Sequence, residues 1–268
     1  MKNRLYLFIT IFLCFFLFIK KTETYAQSID QDFRKINIDI EGLEVSDITS
    51  IVEDKEGYIW MGTDLGLLKY NGYQFLRYKY SELDSTSLNH NTVKTLFVDS
   101  RGDLWVGTKV GLNKYNRTCD CFSHFPSSTN NQTPTGIITD IIEDQNNHIW
   151  VAVRNGGIFR YEREKNQFNR FLSQTNNTVS LVNDVVHVLL ADKENHIWVG
   201  TGFGNLGTGL VRFNPSTGNA KRFVYDSSNK SSLLDNRISS LYEDQKGQLF
   251  VGTYKCGLHL FNKEKEIF

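Results

Sequence analysis

The 268 residues carry 30 basic and 30 acidic side chains, a balance that leaves no electrostatic footprint for nucleic acid. Three prolines suit an all-β chain. Four cysteines, one of them inside the leading apolar run, leave an odd three that build no disulfide framework. At the start, Lys2 and Arg4 precede an apolar run from Leu5 to Ile19, and Thr24-Tyr25-Ala26 offers a small-residue cleavage site before Gln27. Fifteen apolar residues are short for a bilayer span, so residues 1–26 are expected to be a secretory signal, with an uncleaved membrane anchor as the rival. Bulky Leu13 ahead of Cys14 argues against a lipoprotein site. Removing the leader takes away Lys2, Arg4, Lys20, Lys21 and Glu23, leaving 26 basic and 29 acidic residues in 27–268.

Next along the chain, Phe33-Arg34-Lys35-Ile36 has the pattern of an isolated outer strand, and residues 33–38 are a candidate for a strand that closes the fold. From residue 45 onward a single unit recurs. Trp60, Trp105, Trp150 and Trp198 stand 45, 45 and 48 residues apart, and Phe250 takes the same place 52 residues later. Twelve positions before each anchor stand Ile48, Val93, Ile138, Val186 and Ile238. Six before it the residue is always an aspartate: Asp54, Asp99, Asp144, Asp192 and Asp244. Three before it come Gly57, Gly102, Asn147, Asn195 and Gly247, which tolerate a positive φ at a hairpin turn.

The first copy shows what the unit builds. Ile48–Glu53 and Tyr58–Thr63 are β-rich runs around a Lys55-Glu56-Gly57 turn; Gly66–Tyr70 and Tyr73–Tyr78 follow across further turns. Four short antiparallel strands per 45 residues, with no helical period, are the size of one β-propeller blade. The chain is therefore read as all-β: five four-stranded blades at about 45–78, 90–125, 135–171, 183–225 and 235–268, within a propeller domain of 27–268. The anchors Trp60, Trp105, Trp150, Trp198 and Phe250 are expected to fill the space between blades. Gly62, Gly107, Gly200 and Gly252, two positions later, are expected where a strand close to a crowded axis has no room for a β-carbon, with Ala152 the smallest compromise. Each recurrent aspartate is expected to accept backbone N–H bonds in an Asx turn, because Asp-x-x-Gly lacks the oxygen density of a calcium loop.

Cys119 and Cys121 are two apart, too near in sequence for easy disulfide geometry, and with Cys256 they are read as non-framework thiols. At the far end, the seven-residue interval that separates Tyr115 from Phe122 and Tyr161 from Phe168 also separates Phe261 from Phe268. The fourth strand of the fifth blade should thus begin at Phe268. Either five blades close with the help of 33–38, or the ring is a truncated one; the start of an outer strand at Phe268 favours truncation.

The run Asp54-Lys55-Glu56-Gly57-Tyr58-Ile59-Trp60-Met61-Gly62-Thr63 with Gly66-Leu67-Leu68-Lys69-Tyr70, its counterpart from Asp99 to Tyr115, and the lead-ins Ser87–Val93 and Ser232–Ile238 resemble two-component regulator propeller repeats. The resemblance implies a seven-bladed propeller, five blades of it here, in the periplasmic sensor region of a hybrid two-component histidine kinase. The resemblance further implies a full-length sensor in the inner membrane, with a homodimer as its expected pairing and membrane attachment only through segments beyond this chain or an uncleaved leader. Ala152-Val153 in place of Gly-Thr, the insertion at 202–209 and Phe250 in place of tryptophan depart from the pattern.

The resemblance implies sensing of an oligosaccharide or another small extracytoplasmic ligand, with signalling to a kinase absent here. A propeller enzyme of the lyase type and a purely structural protein-interaction platform are the alternatives. Catalysis needs convergent acid, base, nucleophile or metal groups outside the repeat register, and none is visible; no catalytic residue, metal or cofactor is assigned. His90, His124, His148, His187, His196 and His259 are expected in exposed loops. Ligand contacts are sought where the copies differ, just past each Gly-Thr: Asp64, Lys109, Arg154, Asn155, Phe203, Asn205, Tyr254 and Lys255. Asn91 and Arg237 at the blade junctions share that rim.

Overall fold

The structure is a computed structural model that describes residues 47–125, 133–171, 185–202 and 207–268. All of these lie in one compact unit, Ile38–Phe268. The leader 1–26 and the candidate closing strand 33–38 lie outside the described residues. Blade 1 is β1 (Ile48–Glu53), β2 (Ile59–Thr63), β3 (Gly66–Tyr70) and β4 (Phe75–Tyr78). Blade 2 is β5 (Val93–Val98), β6 (Leu104–Thr108), β7 (Leu112–Asn116) and β8 (Cys121–His124); blade 3 is β9 (Ile138–Glu143), β10 (Ile149–Val153), β11 (Gly157–Glu162) and β12 (Gln167–Phe171). Blade 4 is β13 (Val186–Ala191), β14 (Ile197–Thr201), β15 (Leu210–Phe213) and β16 (Ala220–Phe223), and blade 5 has β17 (Ile238–Glu243), β18 (Leu249–Thr253) and β19 (Gly257–Phe261). Each is an antiparallel meander paired in sequence order, so the chain is an all-β propeller built of repeated blades.

Turn chemistry sets these elements. Gly57, Gly102, Asn147, Asn195 and Gly247 all take a positive φ, between 61° and 87°, at the first hairpin of their blades. The preceding aspartate holds that turn: Asp99 Oδ1 accepts the amides of Arg101 and Asp103, each at 2.9 Å. Asp54, Asp144, Asp192 and Asp244 do the same. Every first strand is also bulged at its second residue, where one residue is skipped in the pairing. The bulge aims side chains at the following blade. Thr49 Oγ1 donates to the Val93 carbonyl and Thr139 Oγ1 to the Val186 carbonyl, both at 3.0 Å, while Asp140 accepts the Leu189 amide at 2.8 Å.

The core lies between blades. All four tryptophans are fully buried. Each meets the third-strand aromatic of the next blade edge-on: Trp60 with Tyr115, Trp105 with Tyr161, Trp150 with Phe213 and Trp198 with Phe261, at 4.8 to 6.0 Å between ring centres. A cation from the same blade lies over the tryptophan ring, as Lys114 does over Trp105 at 5.3 Å. The small residue after the anchor is explained by adjacent strands. A Cβ on Gly107 would lie 2.6 Å from a methyl of Ile138 and 2.7 Å from a methyl of Thr95, and one on Gly62 2.7 Å from a methyl of Val93, so the first strands of the next blade and of the same blade need the room rather than a crowded axis.

Phe250 corrects one expectation. It is only half-buried, tilted against Tyr242 at 6.2 Å, because no further blade covers it among the described residues. The end of the chain follows the repeat: Asn262 bridges Ile267, and the Phe268 amide donates to the Ser231 carbonyl, as the Phe122 amide does to Thr86. A second correction concerns the cysteines. Cys119 and Cys121 form a disulfide, since the turn between β7 and β8 brings their Cα atoms to 5.2 Å with Asp120 at φ 52° between them. Cys256 is a free, exposed thiol.

Candidate functional site

Alternation of antiparallel strands divides the blade connections between two ends. The first and third turns of every blade share one end; the second loops and the blade junctions share the other. At the first end the aspartates do more than hold turns. The second carboxylate oxygen of Asp54, Asp99, Asp144 and Asp192 accepts the indole N–H of Trp60, Trp105, Trp150 and Trp198 at 2.7 to 2.8 Å. The same oxygen then receives a cation from the third turn of the next blade: Arg117 on Asp54 at 3.2 Å, Arg163 on Asp99 at 2.7 Å and Lys263 on Asp192 at 3.1 Å. Burial pushes the Asp99 carboxyl up, but Trp105, Arg163 and the Asp103 amide outweigh it and hold the group below the ordinary carboxylate value. Asp54 and Asp192 are lowered in the same way, against the same opposing burial.

Blade 4 has Pro215 where the cation would stand, and Asp144 turns instead to His148 Nδ1 at 3.2 Å. Asp192, Glu194 and His196 bring potential ligand atoms within 4.8 Å of one another. Both Asp192 oxygens are already filled by two amides, the Trp198 indole and Lys263, so the group is structural. Nor are the histidines all loop residues: His124, His187 and His259 stand on β8, β13 and β19, and all six are half-buried.

The opposite rim carries the sequence-derived contacts. Threonine closes the second loop of four blades, Thr63 Oγ1 donating to the Gly66 carbonyl at 2.8 Å and Thr253 Oγ1 to Gly257 at 3.0 Å, and Asp64, Leu65 and Tyr254 to Cys256 between them are exposed. Val153 in blade 3 makes no such bond; Asn155 at φ 59° turns the loop instead. Asp64, Lys109 and Asn155 are exposed and Arg154 half-buried, each on its own blade. Phe203 and Asn205 lie outside the described residues.

Two of the expected residues do converge. Arg237 and Lys255 line one open cavity of about 400 Å³ at the junction of blades 4 and 5, with Tyr225, Leu234 and Asp235 among the other walls, and Tyr254 stands outside that lining, joined to it through Arg237. Arg237 is clamped on Asp235, Nη2 to Oδ2 at 2.6 Å and Nε to Oδ1 at 3.0 Å, and its guanidinium lies 5.5 Å from the Tyr254 ring centre. That bidentate contact lowers the Asp235 carboxyl, with a smaller opposing push from burial. Tyr254 is 70% exposed and Tyr225 48%, so two aromatic faces flank the pair. Asn91 plays a different part from the one expected. Its side chain accepts the Tyr80 amide at 2.8 Å, as Asn236 accepts the Tyr225 amide at 2.6 Å, so both shape the junction. Tyr225, Leu234 and Asp235 stand at the blade junction rather than just past a Gly-Thr; Tyr225 repeats Tyr80, whereas Leu234 and Asp235 replace Asn89 and His90, a difference between copies that could have found them.

A family model described as two component regulator propeller matches residues 42–64, 87–109, 180–203 and 232–255. In those four segments the repeats are similar to those of the two-component regulator propeller family. Blade 3, with Ala152-Val153, falls outside the matched segments. The chain is 32% identical over 148 residues to histidine kinase P4 of Formosa agariphila, covering 51% of this chain and 10% of that protein. Its fold is similar to that of the extracellular domain assigned to a hybrid two-component system of B. thetaiotaomicron, with a TM-score of 0.72 and 24% identity over 84% of this chain and 30% of that one. It also resembles virginiamycin B lyase of Staphylococcus aureus, at a TM-score of 0.59 and 14% identity over 82% of this chain and 68% of the lyase. This chain thus spans one tenth of the curated relative and under a third of the sensor domain.

Proposed function

We propose that this regulator propeller is an extracytoplasmic ligand-sensing domain of a hybrid two-component sensor, without catalytic activity of its own, and that the cavity at the junction of blades 4 and 5 receives an oligosaccharide. The observation that carries the reading is the convergence of Tyr225, Lys255 and the Asp235–Arg237 pair on one open cavity, with the exposed Tyr254 ring packed against Arg237 at its edge. Aromatic faces stack on the apolar faces of sugar rings, while a fixed carboxylate and guanidinium receive and donate hydrogen bonds to hydroxyl groups. The leader expected at residues 1–26 supports export, and the sensor proteins among the relatives support transfer of the signal to a kinase in a longer protein.

Calorimetry against a panel of neutral and uronate-containing oligosaccharides tests this. At least one is expected to bind, with affinity falling about tenfold on Tyr254→Ala through loss of one stacking face. If no member of the panel binds, or if binding survives Tyr254→Ala combined with Arg237→Ala in a folded protein, the cavity is not the site. Turnover of any member would overturn the non-catalytic part.

A further inference from the structure

The turn between β7 and β8 is cross-linked, and its counterparts are not. In blade 3 the turn Glu162–Gln167 closes with Asn166 at φ 50°, and in blade 5 Asn262–Ile267 closes with Glu266 at φ 53°. Blade 2 uses the same six-residue frame, Asn116 paired with Cys121 and Asp120 at φ 52°. Backbone geometry therefore forms without a disulfide, and the Cys119–Cys121 bond is an addition to a turn that closes by itself.

What this turn holds is the contact between blades 1 and 2. Asp120 Oδ1 accepts the hydroxyl of Tyr78, from blade 1, at 2.6 Å and that of Tyr115, from its own blade, at 2.5 Å. Arg117, in the same turn, reaches Asp54 and Glu56 of blade 1. Cys119 is exposed and Cys121 half-buried, so one sulfur is open to attack from solvent.

We propose that Cys119–Cys121 is a thiol–disulfide exchange site, whose partner is a dithiol reductant, and that its redox state sets how firmly Asp120 ties blade 1 to blade 2. A thiolate of the dithiol attacks one sulfur of the pair, breaking the Cys119–Cys121 bond and forming a mixed disulfide. The second thiol of the reductant resolves it. Two electrons pass from the dithiol, which leaves as a disulfide, and the two cysteines take up protons as thiols. Freed of the short covalent ring, Asp120 leaves its positive φ more readily, and the Tyr78 bond weakens with it. This inference does not depend on what the opposite rim binds.

The test uses the full, folded chain, with Cys256 as the internal standard that is alkylated under all conditions. Under mild dithiothreitol, two additional alkyl groups are expected at Cys119 and Cys121 without unfolding. The melting temperature should fall by about 2 to 4 °C and recover on reoxidation. A Cys119→Ser/Cys121→Ser variant should melt near the reduced value and ignore the reductant. If that variant does not fold, the alkylation and melting of the native chain still decide. Free thiols at both positions after purification under oxidising conditions would overturn the proposal. So would a bond that resists dithiothreitol until the chain unfolds, or a melting temperature indifferent to reduction.

Discussion

Blades 2 and 5 share one register, yet Leu112 is fully buried while its counterpart Leu258 is 69% exposed. Trp105 is sealed, Phe250 half open; Asp99 carries an indole and an arginine, whereas Asp244 has only its two turn amides. Local turn chemistry is the same in both, so it fixes the strands. Burial and charge pairing are supplied by the next blade. In a repeat fold the energy of a blade is divided between itself and its neighbour, and this chain displays the two shares separately.

The largest expected effect that separates the shares is the removal of an anchor. Trp105→Ala should cost about 3 to 5 kcal/mol in denaturant unfolding, the range for deleting a buried aromatic, and Phe250→Ala well under half of that. Equal costs would break the comparison. Asp99→Ala should come next, at about 2 to 4 kcal/mol, because it strands the Trp105 indole and Arg163 together with two amides. Asp244→Ala loses only the amide bonds and should cost about 1 kcal/mol. Arg163→Met isolates the neighbour's contribution: about 1 to 3 kcal/mol, with a double-mutant cycle against Asp99→Asn showing strong coupling. Additive losses in that cycle would show that the cation and the aspartate, here called the inter-blade latch, do not act together.

The smallest effect sharpens the comparison through pH. Burial raises the Asp140 carboxyl to about 6, against the amides of Leu189 and Ile141 that pull it down. A folded value above the unfolded one of about 3.9 means the folded state binds the proton more tightly, so the stability this group contributes is lost as pH rises from about 4 to about 6. Relative to Asp140→Asn, the native chain should gain stability on acidification across that window. His187, lowered by burial and by Arg154, acts in the opposite sense, losing stability as pH falls below 6.5, and the Asp140→Asn reference removes it from the comparison. Below about 4 the lowered carboxylates of Asp54, Asp99 and Asp192 take over, and stability should fall.

The strands and the first hairpin of each blade were legible because they depend on residues a few positions apart: Asp54 with Gly57, Gly57 with Trp60. The indole bond was not, since an Asx turn needs only one carboxylate oxygen and says nothing about the other. The cation of the latch carried a signal that went unread. Arg117, Arg163 and Lys263 stand two places after the third-strand aromatic in three copies, a pattern visible in the sequence but meaningful only once the blades are side by side. The disulfide was missed because spacing alone does not reveal that a positive φ at Asp120 folds its neighbours together. At the rim, variability among copies and the blade junctions pointed to Arg237 and Lys255 of the cavity wall but could not separate Asn91, which braces a backbone, from residues open to solvent.

The latch also constrains how such a chain lengthens in evolution. Each blade supplies an acceptor to the blade after it and a donor to the blade before it, so a duplicated segment that spans one whole blade brings both halves of the match. An extra copy slots in with no stranded charge, whereas a cut made elsewhere separates the halves. Pro215 marks the exception: the one described blade with proline in the donor place follows a blade whose aspartate meets a histidine of its own turn, Asp144 with His148.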